Sequence, residues 1–214
     1  MLKLKVDNKS LLLYLVTDRS WLREESLISQ VEKCLINGVT FLQLREKNLD
    51  DDSFLKLAVE MKELSRRYNV PFVINDNIDI ALKSNADGVH IGQDDMPIEE
   101  AKKIIGGDKI LGVSVGTVDE AILAEKLGAD YLGVGAIFST STKKDARNIS
   151  YEALKEICES VSIPVVAIGG INKDNIEELR GSGIDGVAVI SAILAEKDIA
   201  KAANELKDIC NKIF

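Results

Sequence analysis

The sequence predicts a single α/β domain over residues 1–214, folded as a (β/α)8 TIM barrel. Across its 214 residues, short runs rich in aliphatic and β-branched residues alternate with longer amphipathic segments, a pattern typical of βα units around a parallel sheet. Eight such units fill almost the whole sequence without a linker or low-complexity tract. The predicted strands are 11–17, 41–46, 71–75, 88–92, 110–115, 131–137, 164–168 and 186–190.

A repeat with a period of two strands favours a closed barrel. The similar segments are GVTFLQLR (38–45), NADGVHIG (85–92), GADYLGVG (128–135) and GIDGVAVI (183–190). Interior layers of such a barrel are filled alternately by odd and even strands, which produces this period. The alternative, an open doubly wound sheet, calls for a glycine-rich turn after the first strand. The first strand ends instead in Thr17-Asp18-Arg19-Ser20.

The segments between the strands show helical periodicity. Apolar residues recur at helical spacing over 27–35 and over 199–213, as expected for helices that pack one face on the sheet. Thr117 and Glu120 have the spacing of a capping box, which predicts the start of the fifth helix.

Charge, apolar runs and cysteine positions argue against several classes of partner and location. The chain carries 27 Lys and Arg against 35 Asp and Glu, a net charge of −8, which argues against a nucleic-acid partner. The apolar run 11–16 is too short to cross a membrane, and we find no secretory or lipidation signal. Cys34, Cys158 and Cys210 are widely spaced among apolar residues, which predicts buried thiols in a reducing compartment. We therefore expect a cytoplasmic protein with no membrane partner.

Three polar side chains share one face at the end of the second predicted strand. Because side chains alternate along a strand, Gln43, Arg45 and Lys47 point the same way. Such a face is costly in a buried parallel strand without a ligand, and arginine can bind phosphate bidentately. A solvated strand edge is the alternative, and we favour an anion site.

Carboxylates follow the third and fourth predicted strands. Asn75-Asp76 ends one of them, and Asp94 and Asp95 follow the next. Two carboxylates from neighbouring strand ends suit Mg²⁺, which keeps several waters and also binds substrate phosphates. The alternative is that Asp94 and Asp95 cap the helix that starts near Pro97.

The remaining strand ends predict further phosphate contacts. Segment 139–150, STSTKKDARNIS, is a polar connection of unusual length that suits either a lid or a plain surface loop. Loops after the last two strands of such barrels commonly bind a phosphate, and Gly169-Gly170 would let backbone approach it. Ser114 is a candidate inward contact, and His90 is interpreted as a packed interior side chain. No Ser/His/Asp or Cys/His set is visible in the sequence, which favours chemistry driven by leaving-group stabilisation.

The motifs together resemble those of the thiamine phosphate synthase family. The matching stretches are YLVTDRS (14–20), QLREK (43–47), INDNIDIALKSNADGVHIGQDD (74–95), GVSVGT (112–117), GADYLGVGAIFSTSTKKD (128–145), AIGGI (167–171) and GVAVISAI (186–193). They cover nearly the whole chain. One departure is Gly135-Ala136, where the family usually has Gly-Pro, and from it we expect a modest effect on loop order.

The resemblance implies a transferase that joins a hydroxymethylpyrimidine diphosphate to a thiazole phosphate and releases diphosphate. It also implies Mg²⁺ as cofactor, small-molecule partners, and a diphosphate that leaves before the thiazole nitrogen captures a pyrimidinyl-methyl cation. Arg45, Lys47, Ser114 and Lys143 become the catalytic candidates. The substrate-binding candidates are Gln43, Leu44, Arg45, Glu46, Lys47, Asn75, Ser114, Thr140, Thr142, Lys143, Gly170, Ile190 and Ser191, and the metal candidates are Asp76 and Asp95.

Two other functions remain open at this point. A thiazole-phosphate tautomerase on the same barrel would keep the monophosphate site without needing the diphosphate set. A non-catalytic regulator that binds thiazole or thiamine phosphate would not need the paired aspartates. We expect a monomer or a small homo-oligomer.

Overall fold

The computed structural model describes residues 6–139 and 148–214, and it confirms the TIM barrel. Eight parallel strands close into a barrel in chain order, with β1 paired to β8. The strands are β1 Leu13–Val16, β2 Phe41–Leu44, β3 Phe72–Asn75, β4 Gly88–Ile91, β5 Ile110–Val115, β6 Tyr131–Val134, β7 Val165–Ile168 and β8 Gly186–Val189. Each lies within its predicted segment, and every strand except β5 is shorter than predicted.

Helices surround the barrel. They are α1 Leu27–Ile36, α2 Asp51–Arg67, α3 Ile78–Lys83, α4 Ile98–Ile105, α5 Val118–Lys126, α6 Tyr151–Ser160, α7 Ser191–Leu194 and α8 Ile199–Ile213, with 3-10 turns at Asn8–Leu11, Arg19–Trp21 and Ile176–Leu179. The connection from β7 to β8 contains the last of these 3-10 turns where the other units carry an α-helix. Within the described ranges, no helix combines the length and the apolar composition that crossing a bilayer requires.

One of the two hydrogen bonds of the predicted capping box forms at the start of α5. The Thr117 hydroxyl accepts a hydrogen bond from the Glu120 amide at 3.2 Å, as predicted. The Glu120 carboxylate accepts from the amide of Gly116 at 2.7 Å, one residue before the cap position that the motif specifies. Spacing alone therefore located the helix start, whereas the reach of the glutamate depended on the path of the preceding turn.

Apolar side chains form two separate layers. The larger one lies between the strands and the helices, and a smaller one fills the barrel interior. In that interior Phe41 packs edge-on against Tyr14 and Tyr131, with ring centroids 4.6 and 5.4 Å apart. Cys34 and Cys210 are buried in the outer layer and Cys158 is half-buried, and all three are free thiols. Burial raises the pKa of the Cys34 thiol to about 12, so it is protonated at neutral pH.

The repeat that predicted the closed barrel has a structural role at its amino-terminal end. Asp87, Asp130 and Asp185 each precede an even-numbered strand and accept a backbone amide from the first or second residue of the preceding strand. The distances are 2.9, 2.9 and 2.8 Å. In the first repeat the hydroxyl of Thr40 accepts the amide of Leu13 in the same way, at 2.9 Å. The period of two is thus a set of four side-chain links between neighbouring strands.

Candidate active site

Two crossed ion pairs fix the loops that follow β1 and β2. The guanidinium of Arg45 donates to Asp18 at 3.2 Å, and Arg19 donates to both carboxylate oxygens of Glu46, at 2.8 and 2.9 Å. The backbone amide of Arg45 also donates to Thr17 at 3.0 Å. Because Arg45 is half-buried and tied from two sides, its guanidinium is held at the carboxyl end of the barrel. The sequence analysis did not include Asp18 among the site residues.

Leu44 and Glu46 point away from the barrel interior. The side chain of Leu44 is fully buried in the layer between strands and helices. The carboxylate of Glu46 is only 3% exposed and is occupied by Arg19. Strand alternation places Gln43 and Arg45 on the inner face and these two residues on the outer one. Their assignment as substrate contacts stays a prediction.

Lys47 joins the end of β2 to the end of β3. Its ammonium group lies 2.8 Å from Asp76 Oδ2, and the same oxygen accepts a hydrogen bond from the side chain of Asn75. The three side chains thus form one polar cluster at the rim, in which Lys47 and Asn75 are predicted diphosphate contacts and Asp76 is a predicted metal ligand.

The backbone of Asp76 lies in a sparsely populated region. Its φ is +61°, which non-glycine residues adopt at a cost of about 1 kcal/mol or more. The surroundings fix it there, since the Asp76 amide donates to the carbonyl of His90 at 2.9 Å. Backbone strain of this kind clusters at functional sites. The turn brings the carboxylate of Asp76 towards β4 rather than out to solvent.

The carboxyl group of Asp95 lies next to that of Asp76. Burial raises the pKa of the Asp95 carboxyl above its ordinary value, and the adjacent carboxyl of Asp76 raises it further, while the amide of Gly92 lowers it. That amide donates to Asp95 Oδ2 at 2.7 Å. The alternative role as a helix cap is not found, because α4 begins after Pro97 without a side-chain cap. The carboxyl group of Asp76 therefore disfavours ionisation of the neighbouring Asp95.

This carboxylate pair fits a hard divalent cation. A cation between the two groups would relieve the repulsion that raises the pKa of Asp95. Within the part of the chain that the structure describes, no group of three or more His, Cys, Asp or Glu side chains is placed to hold a metal ion. A site with only two protein ligands suits Mg²⁺, which keeps waters and shares substrate phosphates, better than it suits a metal that needs a full protein cage.

A chain of hydrogen bonds crosses the barrel interior below these residues. The side-chain amide of Gln43 donates to Tyr14, whose hydroxyl lies 2.8 Å from that of Tyr131. The Tyr131 hydroxyl lies 2.9 Å from His90 Nδ1, and His90 Nε2 lies 2.9 Å from Ser114 Oγ. Burial raises the pKa of both tyrosines, so both hydroxyls keep their protons. Two predicted substrate contacts, Gln43 and Ser114, are thereby linked through three side chains that the site prediction did not include.

The loops after β7 and β8 leave the barrel side by side. The register pairs Ile168 with Ala188, so Gly170 and Ser191 follow neighbouring strand ends. Gly170 has φ +66°, and a Cβ there would lie 2.6 Å from the carbonyl oxygen of Ser139. The glycine therefore also lets the loop after β6 approach closely.

The other predicted contacts of these loops are only partly placed. Ile190 directly precedes the short helix α7, which begins at Ser191. The predicted contacts Thr140, Thr142 and Lys143 lie outside the described residues. The peptide bond between Gly135 and Ala136, the pair that departs from the family pattern, is cis.

Comparison with known proteins identifies the family. The family profile described as thiamine monophosphate synthase matches residues 13–193. The chain is 54% identical to a thiamine-phosphate synthase of Clostridium beijerinckii over 94% of this chain and 96% of that protein. It is 52% identical to that of Clostridium tetani, with coverage of 94% and 96%.

A solved structure agrees with the sequence relatives. The thiamine phosphate pyrophosphorylase of Pyrococcus furiosus superposes with a TM-score of 0.89 at 44% identity, covering 97% of this chain and 98% of that one. These matches extend over the strand ends that carry the candidate site. The chain therefore belongs to the thiamine monophosphate synthase family, transferases of thiamine biosynthesis.

Proposed function

We propose that the protein condenses 4-amino-2-methyl-5-(diphosphooxymethyl)pyrimidine with 4-methyl-5-(2-phosphoethyl)thiazole to give thiamine phosphate and diphosphate. The observation that carries the proposal is the cluster of Lys47, Asp76 and Asp95 at three adjacent strand ends, in a chain of this family. A cation beside two carboxylates is the arrangement expected where a metal-bound diphosphate is held. With the 2-carboxylate form of the thiazole, CO₂ would also be released.

Asp76 and Asp95 would hold Mg²⁺, which supplies positive charge to the oxygens of the diphosphate when bound. Lys47 forms an ion pair with Asp76 in the structure. It would turn to the diphosphate once a metal cation balances the negative charge of the carboxylates. Arg45, already positioned by Asp18, would donate to the same group. Gln43, Asn75 and Lys143 complete the proposed diphosphate contacts.

The reaction would proceed by departure of the leaving group. The C–O bond to the diphosphate breaks with its electron pair on oxygen, and the thiazole nitrogen then forms the C–N bond with its lone pair. Arg45 and Lys47 stabilise the charge that develops on the leaving oxygen. Ser114 would contact the pyrimidine ring, and Thr140, Thr142, Gly170, Ile190 and Ser191 would hold the thiazole phosphate. Exclusion of water protects the cation from hydrolysis.

The deciding experiment supplies the purified protein with Mg²⁺ and both phosphorylated heterocycles and measures thiamine phosphate and diphosphate. We expect equal amounts of the two products, and none when Mg²⁺ is replaced by a chelator. Turnover of the thiazole phosphate alone would indicate a tautomerase instead. Binding of either phosphate without any product would indicate a regulator. We further propose a single-domain cytoplasmic enzyme, monomeric or a small homo-oligomer, which fractionation and sedimentation test.

A further inference from the structure

The hydrogen-bond chain inside the barrel draws on five different strands. Gln43 comes from β2, Tyr14 from β1, Tyr131 from β6, His90 from β4 and Ser114 from β5. Its two ends are proposed substrate contacts, and its three middle members have no role in the proposed mechanism. Such a run of polar side chains is expensive to bury unless each partner is satisfied.

The interior is shaped to fit this chain. Tyr131 is fully buried, and His90 is only 8% exposed. A Cβ at Gly112 would lie 2.2 Å from the Tyr131 ring and 2.5 Å from His90 Nδ1, so only glycine lets these two side chains meet. The contact between tyrosine and histidine is therefore built into the strand sequence.

The amide at one end sets the direction of every hydrogen bond that follows. The Gln43 nitrogen can only donate, so the Tyr14 oxygen accepts and its single hydrogen is directed to Tyr131. The Tyr131 hydroxyl in turn donates to His90 Nδ1, which leaves the imidazole proton on Nε2. That proton is donated to Ser114 Oγ, and the serine hydrogen remains available to a ligand.

We infer that this chain is a polarity relay in which His90 is held as the neutral Nε2-protonated tautomer, so that Ser114 presents a hydrogen-bond donor to an acceptor nitrogen of the pyrimidine. His90, Tyr131 and Tyr14 are then positioning residues that act through Ser114. The inference rests on the proposed function, because the acceptor belongs to the proposed substrate. It specifies that the Ser114 hydrogen is directed to a ring nitrogen.

Reversing the hydrogen bonds of this chain would place the His90 proton on the other ring nitrogen. If the Gln43 carbonyl accepted from Tyr14, every hydroxyl would reverse and His90 would carry its proton on Nδ1. Ser114 would then spend its hydrogen on His90 Nε2 and could only accept from a ligand. One observable, the tautomer of His90, separates the two directions.

His90 is the only histidine of the chain, so its imidazole nitrogens can be observed without assignment ambiguity. We would record two-bond ¹H–¹⁵N correlations on untagged protein at about pH 8, above the ordinary pKa of histidine. The expected pattern is a protonated Nε2 and an unprotonated Nδ1. A protonated Nδ1, alone or together with Nε2, overturns the inference. In a folded Tyr131→Phe variant the Nδ1 tautomer should become detectable.

Kinetics test whether the relay acts through Ser114. One neutral hydrogen bond predicts that Ser114→Ala raises the KM for the pyrimidine diphosphate by about threefold to tenfold, with little change in kcat. Tyr131→Phe should give a smaller rise in KM. In the Ser114→Ala background, Tyr131→Phe should change KM by less than about twofold, because its effect passes through the missing hydroxyl. A full Tyr131→Phe effect in that background overturns the inference.

A matched control removes a tyrosine hydroxyl outside the barrel. Tyr68 donates to Glu32 at 3.0 Å between helices, and Tyr68→Phe should leave both the KM and the tautomer unchanged. The spectroscopic experiment and the kinetic experiment can fail independently of each other. The spectrum needs no turnover, so a wild-type protein that makes no thiamine phosphate refutes the proposed function while the tautomer can still be determined. Normal turnover with a protonated Nδ1 refutes only the relay.

Discussion

Aspartates at the two ends of the barrel differ in whether a second carboxyl group lies beside them. At the amino-terminal end, Asp87 and Asp130 each bind a strand amide and a lysine, with Lys62 at 2.6 Å and Lys102 at 2.9 Å. At the carboxyl end, Asp76 binds Lys47 and Asp95 binds the Gly92 amide, but the two carboxyl groups also lie next to each other, and Asp76 raises the pKa of Asp95.

The difference separates stability from function. Pairing an aspartate with an amide and a cation stabilises the folded chain, whereas placing two carboxylates together destabilises it. The repulsion between Asp76 and Asp95 has no benefit for folding, so it points to a bound ligand that would relieve it. Active sites of TIM barrels lie at the carboxyl ends of the strands, in agreement with this division. Four substitutions test it, given in order of decreasing effect.

Asp95→Asn should remove turnover and spare the fold. The amide keeps an oxygen for the Gly92 amide but removes a charge, and we expect kcat to fall by about a hundredfold or more. The free energy of unfolding should be unchanged or higher, because the repulsion with Asp76 is gone. Product assays, Mg²⁺ titration calorimetry and urea denaturation measure the three quantities. Wild-type turnover would remove Asp95 from the metal site.

Lys47→Met should weaken substrate binding more than stability. An exposed ion pair contributes little to folding, but a charge-assisted contact to diphosphate predicts a KM about tenfold higher. The matched control is Lys62→Met at the other end of the barrel, which should leave KM unchanged and lower the free energy of unfolding by about 1 kcal/mol. Equal KM values for the two variants would contradict the division between the two ends.

Asp130→Ala should lower stability without altering the chemistry. It leaves the Leu111 amide and Lys102 without this carboxylate, and we expect a loss of about 2 kcal/mol in the free energy of unfolding. Asp208→Ala, on the exposed face of α8, is the control and should change stability by less than about 0.5 kcal/mol. A fall in kcat of the folded Asp130→Ala protein would show that the amino-terminal carboxylates also serve the reaction.

Asp185 gives the smallest effect, and it depends on pH. Its partners are the Val165 amide and Asn8, and burial raises the pKa of its carboxyl. Folding therefore favours the protonated form, so the stabilising contribution present at low pH is lost as pH rises from the ordinary value of about 3.9 through the raised one.

Asp185→Asn removes this titration. Its free energy of unfolding, relative to wild type, should rise across that pH window, as urea denaturation at several pH values would show. A difference that stays constant with pH, or falls, would contradict the assigned direction.

The fold could be predicted from sequence because its signals are local. Alternation of strands and helices, the period-two repeat and the helix starts each depend on residues within one βα unit. The repeated aspartates before β4, β6 and β8 illustrate this, since each one links its own strand to the preceding strand.

Parts of the candidate site needed the closed barrel. The outward direction of Leu44 and Glu46 is not one of these parts, because it follows from strand alternation alone. Asp18 and Tyr131 showed no signal by themselves, because their partners are distant along the chain. Arg45 is 27 residues from Asp18, and Tyr14 is 117 residues from Tyr131. The one sequence signal that could have suggested an interior network is that Tyr14, Gln43 and His90 occupy equivalent inward positions on their strands.

The barrel, its eight strand positions and the polar residues at their ends follow from the sequence alone, because periodicity and strand alternation are properties of neighbouring residues. Tertiary structure decided which of those residues meet. It turned Asp95 towards Gly92 and Asp76 instead of the start of α4, and it joined Gln43 to Ser114 across the interior. Closure of the barrel is the physical reason, since it brings distant strand ends within hydrogen-bonding distance of one another.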